Sequence, residues 1–319
     1  MSGARDWPAS PVAVAHRLDE VVPGPSVITI GNFDGVHRGH RVLLKRAVSA
    51  AEDADVRSVA VTFHPHPAAV LRPGSEPAAI QSLEDRSTGL LRVGVDLVLV
   101  LPFTRELSSL SPDAFVEQVL VDRLQATKVI VGANFRFGHK AAGDVVTLTD
   151  AGAVHGFATE AVTLLELDGA PISSSEVRRR IAEGDLGWAN RALGRPFELR
   201  GEVVRGEARG RTIGFPTANV EVPAGRLLPA HGVYVCEAEL AGERLGAVTN
   251  VGTRPTFDGQ GTTVEVHLLD VDRDLYGHEL TVRFLDRLRG ERRFGGLEEL
   301  RAQIRVDADA ARAALAART

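Results

Sequence analysis

The strongest constraint on this chain is a change of pattern at the breaker cluster Gly194, Arg195, Pro196. Upstream, from Ser26 to about Leu165, short β-branched runs alternate with stretches of helical period. A parallel sheet with crossover helices reads this way, because its strands are covered on both faces and each helix carries the chain back to start the next strand. The predicted strands are Val27 to Ile30, Val56 to Phe63, Val95 to Leu101, Lys128 to Val131 and a weaker one at Ala158 to Val162. The predicted helices are His40 to Ala51, Leu83 to Val93, Pro112 to Leu124 and a short closing one at Leu186 to Leu193. Downstream, from Leu199 to Leu285, the apolar runs are short, Gly-rich and Pro-rich turns separate them, and no helical period intervenes, as in a small barrel or sandwich. Leu297 to Leu315 then carries apolar or small residues at helical spacing and reads as a helix packed on that barrel. The 319 residues exceed one ordinary core of about 100 to 200 residues, so we expect an α/β domain over residues 1–193 and a mostly β domain over 194–319.

An apolar share of 44% with 25% charged residues is that of a globular protein and excludes a disordered or fibrous chain. The formal net charge of -5 lacks the basic footprint of a duplex binder, so no nucleic-acid partner is expected. No apolar run is long enough to span a bilayer, and Met1 to Pro11 lacks the apolar stretch of a secretory signal, so no membrane partner is expected either. Cys236 is the only cysteine, which rules out an intrachain disulfide and a thiolate zinc cage and fits a reducing cytoplasm. A homo-oligomer is compatible with all of this.

The densest chemical signal follows the first predicted strand, where Gly31, Asn32, Phe33, Asp34, Gly35, Val36, His37, Arg38, Gly39 and His40 run together. Glycines there let backbone N–H groups approach phosphate, and the start of the next helix adds a positive dipole end at the same place. His37 and His40 are three positions apart, so on a helix beginning near His37 they share a face and can both donate to phosphate oxygens. A strand-to-helix turn with capping residues would look similar, and His37, His40, His64 and His66 could instead be ligands of a metal-dependent hydrolase. After the fourth strand come Gly132, Asn134, Phe135, Arg136, Phe137, Gly138, Gly143 and Asp144, a loop able to hold a flat heterocycle. Ile172, Ser173, Ser174, Ser175, Glu176, Val177 and Arg178 place three hydroxyls at a helix start and an arginine one turn in, either a phosphate-friendly arrangement or a plain N-cap.

Together with the TFHPHP run from Thr62 to Pro67, these segments resemble the nucleotidyltransferase module of the bacterial bifunctional riboflavin kinase and FMN adenylyltransferase family, also called FAD synthetase. The resemblance implies a Rossmann-like domain in which FMN and ATP give FAD and pyrophosphate. His37 and His40 would be catalytic, Gly31, Asn32, Phe33, Asp34, Gly35, Gly39, Ser173, Ser174, Ser175 and Arg178 would bind ATP phosphates, and Asn134, Phe135, Arg136 and Phe137 would bind flavin. The chain has His64 where the family usually has an acidic residue, and Ser175 where it has threonine.

The second half opens with Gly201, Gly206, Gly210, Arg211, Thr212, Ile213, Gly214, Phe215, Pro216, Thr217, Ala218 and Asn219, which offers backbone donors for phosphate, and a hydroxyl and an amide oxygen for a hard cation. Alone it would pass for a barrel turn. With Asn250 to Phe257, the Val264 to Asp270 run and Phe284 to Phe294, it resembles the riboflavin kinase module of the same family, so that the likeness covers about Ser26 to Leu315. The resemblance implies a small antiparallel β-barrel that phosphorylates riboflavin with ATP. In it Gly210, Arg211, Gly214 and Pro216 would meet the nucleotide, Thr217 and Asn219 would hold Mg²⁺, Glu265 would be the base, and Arg292 and Phe294 would flank the flavin. Gly290 stands where the family often has an acidic residue after arginine.

Physical chemistry separates the two steps. An FMN phosphate is already an anion and needs positioning and charge neutralisation rather than a base. A primary alcohol must lose its proton as it attacks, and a carboxylate on a strand between Val264 and Val266 faces away from both valines. A plain solvent-facing glutamate, and a chain with one active and one merely flavin-binding domain, stay open on the residues alone. Trp7 and Trp188 read as packing or surface residues, and His16, His155, His231 and His278 carry no constellation.

Overall fold

A computed structural model describes residues 13–205, 214–256, 259–271 and 273–318. Trp7, Gly206, Gly210, Arg211, Thr212, Ile213 and Phe257 lie outside the described residues. Contacts divide the chain into two units, Met1–Ser174 and Ser175–Thr319.

The first unit is built on six parallel strands: β1 (Val14–Ala15), β2 (Ser26–Ile30), β3 (Arg57–His64), β4 (Leu97–Pro102), β5 (Ala126–Gly132) and β6 (Ala158–Val162), in the order β1-β4-β3-β2-β5-β6. Every residue of β2 is buried, which explains why its sequence runs apolar instead of alternating. Helix α1 (Arg38–Asp53) follows β2 and buries Leu44, Ala47 and Ala51 along one stripe. Shorter helices follow the next strands: α2 (Pro67–Leu71), α3 (Leu83–Leu91), α4 (Arg105–Ser109), α5 (Pro112–Phe115) and α6 (Val145–His155). The helix expected over Pro112 to Leu124 is present but changes pitch. After α5 it continues as a π-helical stretch, Val116–Arg123, and the Leu124 N–H reaches back to the Val119 carbonyl at 3.2 Å. From β2 the chain adds β3 and β4 on one side, then crosses to lay β5 and β6 on the other. Such a reversal opens a crevice at the carboxyl ends of the strands beside it.

The second unit carries α7 (Ser174–Glu183, entered at its second residue), α8 (Leu186–Leu193) and six strands: β7 (Phe197–Val204), β8 (Ala218–Glu221), β9 (Gly232–Leu240), β10 (Glu243–Thr256), β11 (Gly259–Leu268) and β12 (Glu279–Arg289). All neighbours pair antiparallel and the sheet closes, in the order β8-β11-β10-β9-β12-β7. The expected choice between barrel and sandwich therefore resolves to a barrel, which leaves no open edge. Helix α9 (Leu297–Ala316) lays Ala308, Ala311, Ala314 and Leu315 on Val233, Val235, Val248, Leu269 and Leu285.

The contact boundary lies earlier than the one expected at Leu193. Helices α7 and α8 are stitched to the barrel: the Asn190 amide donates to the Phe284 carbonyl at 2.9 Å and accepts the Phe197 N–H at 2.7 Å, and the Ala230 N–H reaches the Ile181 carbonyl at 3.2 Å. Trp188 is a packing residue, 3% exposed. Among the described residues no helix is long and apolar enough to cross a membrane.

Candidate active sites

A cavity of about 1100 Å³ opens in the first unit, lined by residues that follow β2, β3, β4, β5 and β6, the place the strand order dictates. Of the predicted phosphate-side residues it collects Gly31, Asn32, Phe33, His37, Gly39, His40, Ser173 and Ser174. Asn134, Phe135, Arg136 and Phe137 line it from the β5 side. Asp34 and Gly35 do not line it, and its lining stops at Ser174, while Ser175 and Arg178 belong to the second unit.

The loop from β2 to α1 is held in an unusual backbone conformation. Phe33 has φ 50° and Val36 has φ 40°, in the left-handed region that side chains with a Cβ avoid, and both side chains are buried. Its carboxylate explains why Asp34 stays out of the cavity: one oxygen accepts the Ile80 N–H at 2.9 Å and the other the Gln81 N–H at 3.1 Å. Asp34 ties the loop to the segment that leads into α3. Ser174 ties it from another side, its hydroxyl donating to the Asp34 carbonyl at 2.8 Å.

His37 caps α1, its Nδ1 accepting the His40 N–H at 3.2 Å. A ring nitrogen that accepts carries no proton, so the neutral His37 ring has its proton on Nε2. The His37 and His40 rings stack with centroids 3.5 Å apart and 17° between planes, so the pair does share one face at the helix start. Gly39 makes this fit possible, since a Cβ there would lie 3.2 Å from both the His37 ring and the Ile172 carbonyl. His66 likewise spends Nδ1 on a cap, accepting the Ala68 N–H at 3.1 Å, and Asn32 meets its Nε2 at 3.4 Å. Exposed His64 ends β3 outside the cavity lining. Among the described residues no three His, Cys, Asp or Glu side chains form a group able to hold a metal, which removes the geometric basis for the hydrolase reading.

On the other side the Phe135 and Phe137 rings stack at 5.5 Å, and Phe137 packs on Phe115 at 5.8 Å. Arg136 pairs with Asp144 at 3.0 Å, and hydrogen bonds from Thr147, chiefly its backbone N–H, help hold the Asp144 carboxyl below its usual range. Phe63, from the TFHPHP run, and Phe103, which no motif announced, meet edge to face at 5.7 Å and add apolar wall. Arg86 was also missed. It is 8% exposed, and its guanidinium donates to the Asn32 carbonyl at 2.7 Å and the Phe63 carbonyl at 3.2 Å.

In the second unit the pairing register assembles the predicted kinase residues. Glu265 of β11 stands opposite Asn219 of β8 on one side and Asn250 of β10 on the other. Residues directly opposite in an antiparallel ladder share a face with Cβ atoms about 5 Å apart, and because Val264 and Val266 are buried, that face points away from the core. His267, two positions along, uses Nδ1 to hold the Pro216 carbonyl at 2.8 Å and so fixes the approach to Thr217. Phe215 packs edge-on against the His267 ring at 5.5 Å. Gly214, at φ 84°, makes the preceding turn. Glu291 lies beside the same face, close enough that a Cβ on Gly252 would sit 2.5 Å from its Oε1, and it pairs with His231 at 3.5 Å. His231 thus joins a constellation after all. The guanidinium groups of Arg292 and Arg289 both lie over the Phe294 ring, 4.8 Å and 5.8 Å from its centre. Arg292 reaches Gln303, and Arg289 forks onto Asp307, so the loop is fastened to α9.

Two family models match this chain: FAD synthetase over residues 20–176 and riboflavin kinase over residues 193–315. A bifunctional riboflavin kinase/FMN adenylyltransferase from Pseudomonas fluorescens is 43% identical over 288 residues, covering 90% of this chain and 92% of that protein. The chain belongs to the bifunctional riboflavin kinase/FMN adenylyltransferase family. Members of that name from Escherichia coli K12 and Bacillus subtilis are 40% and 36% identical, each covering 92% of this chain and 93% of the relative. A crystal structure described as a macrolide-efflux protein from Streptococcus pneumoniae superposes with a TM-score of 0.86 at 30% identity, covering 94% of this chain and 98% of that one. The FAD synthetase match holds the whole cavity, and the riboflavin kinase match holds the Asn219, Glu265, Asn250 face. At the departure from the family pattern at Gly290, the next residue, Glu291, brings a carboxylate beside Gly252.

Proposed function

We propose that adenylyl transfer takes place in the cavity at the carboxyl edge of the parallel sheet, and phosphoryl transfer on the outer face of the barrel around Glu265. Residues 1–193 are assigned to the first step and 194–319 to the second. In the first step an FMN phosphate oxygen bonds to the α-phosphorus of ATP, the bridging bond to the β-phosphate breaks, and pyrophosphate leaves. No proton has to be removed from the attacking phosphate, so the task of this chain is to fix the two phosphates in line and to place donors where charge builds up. The His37 Nε2–H, the stacked His40 and the start of α1 supply those donors. The stacked Phe135 and Phe137 and the Phe63 ring offer the apolar wall for the flavin.

In the second step the primary hydroxyl oxygen of riboflavin bonds to the γ-phosphorus of ATP, the β–γ bridging bond breaks, and ADP leaves. The hydroxyl proton goes to the Glu265 carboxylate, a contribution of about 10² to 10⁴-fold for general bases. The Thr217 hydroxyl and the Asn219 amide oxygen are donors of the kind a hard cation prefers, and with Glu265 facing Asn219 across the register they fit Mg²⁺ beside the base. When bound there, it would neutralise charge on the transferred phosphoryl group.

The observation that carries this reading is the separation of chemistries: a donor-rich cavity with no carboxylate among the described residues of its lining in one unit, and a strand carboxylate flanked by two asparagines in the other. Given FMN and ATP, Glu265→Gln is expected to release FAD and pyrophosphate at the wild-type rate, while His40→Ala loses both. FAD formation that survives in His40→Ala and fails in Glu265→Gln would contradict the assignment.

A further inference from the structure

The mechanism leaves Arg86 unused. This arginine of α3 is 8% exposed, and burial lowers the pKa of its guanidinium below the usual arginine value, yet a guanidinium stays charged in proteins. It donates to two backbone carbonyls at the carboxyl ends of adjacent strands, Asn32 after β2 at 2.7 Å and Phe63 in β3 at 3.2 Å. The Asn32 carbonyl accepts a second bond, from the Thr62 hydroxyl at 3.0 Å. One peptide oxygen is therefore held inward by two side chains, one of them charged.

A trans peptide points its N–H opposite to its C=O. With the Asn32 oxygen turned to Arg86 and Thr62, the Phe33 N–H of the same peptide faces the other way, and Asn32 and Phe33 both line the cavity. That N–H donates to no acceptor among the described residues. Phe33 reaches this orientation only at φ 50°, a conformation that surrounding contacts must over-determine. Helix α3 and the segment before it supply several of those contacts: Arg86 from the helix, the Ile80 and Gln81 N–H groups on Asp34, and Gly89, whose Cβ position would lie 3.2 Å from Val36.

We propose that Arg86 is a positioning residue for adenylyl transfer, which with Thr62 locks the Asn32–Phe33 peptide so that the Phe33 N–H is presented to a nucleotide phosphate. The proposal rests on the reading of this cavity as the adenylyl-transfer site. A donor fixed in advance costs no reorganisation when charge develops, so its loss falls on kcat more than on substrate binding.

The test is steady-state FAD synthesis from FMN and ATP by the full chain carrying Arg86→Met, Thr62→Val or both, with FMN production from riboflavin as the internal control and thermal melting recorded for each. Arg86→Met is expected to lower kcat about tenfold or more, with KM for FMN and the kinase rate unchanged. Thr62→Val is expected to act in the same direction, and the double variant to lose less than the product of the two single losses, because both act on one carbonyl. Wild-type kcat in Arg86→Met, a KM increase without a kcat loss, or multiplying losses would overturn the proposal. If Arg86→Met does not fold, wild-type kcat in Thr62→Val overturns it and a reduced kcat at unchanged KM supports it. His37→Asn in the same assay tells the two failures apart: if it too keeps full FAD synthesis, the reading of the cavity has failed rather than the role of Arg86.

Discussion

His37 does two things with two ring nitrogens, and one substitution separates them. Asparagine can replace Nδ1 as the acceptor of the His40 N–H but offers no donor where Nε2 stands. His37→Asn is therefore expected to melt within a few degrees of wild type and to lose FAD synthesis, whereas His37→Ala also loses the cap, worth about 1 kcal/mol. Equal FAD rates in His37→Asn and wild type would contradict the donor role. Cys236 gives a second residue-scale prediction. Burial pushes its thiol up to about 12, so a thiol reagent at neutral pH is expected to leave it unmodified until the barrel unfolds, and labelling of the native protein would contradict that. The shared face of His37 and His40 and the outward direction of Glu265 followed from spacing along one helix start and one strand, which fixes direction but not role. Arg86 was not legible in the sequence, since a lone basic residue in a helical pattern looks solvent-exposed and its acceptors are carbonyls far away in sequence.

Elements were legible where period and length were both ample. Helix α8 and β6 fall on the predicted residues, and β2 to β5 lie within two residues of the expected ends. The two-residue β1 carries too little pattern to be seen and is fixed only by pairing with β4. The hairpin Glu166–Leu167 with Ala170–Pro171 was missed although Asp168 and Gly169, both at positive φ, are the residues such a turn demands. The pitch change after α5 has no sequence signature of its own. Barrel closure depends on a close crossing of β7 and β8, where a Cβ on Gly201 would lie 2.1 Å from the Glu221 carbonyl oxygen. Gly201→Ala is expected to destabilise the barrel by roughly 1–3 kcal/mol, read as a lower denaturation midpoint with FMN production failing at lower temperature than FAD synthesis from supplied FMN. An unchanged midpoint would show that the strands part without cost.

At the scale of the molecule, the sequence showed two domains because the pattern itself changes, but the division by contacts falls between Ser174 and Ser175 and not after Leu193. The reason is local: α7 and α8 have the period of α/β helices, yet Asn190 and Ile181 bond to the barrel. The two family matches leave residues 177–192, most of these two helices, between them. On the proposed assignment, residues 1–193 carry adenylyl transfer and residues 194–319 carry phosphoryl transfer, each without the other. The most direct measurement is a chromatographic time course from riboflavin, ATP and Mg²⁺ for wild type, His37→Asn and Glu265→Gln. Wild type is predicted to show FMN and then FAD, His37→Asn to stop at FMN, and Glu265→Gln to leave riboflavin unchanged while still converting supplied FMN to FAD; FAD made from riboflavin at the wild-type rate by either variant would contradict the account.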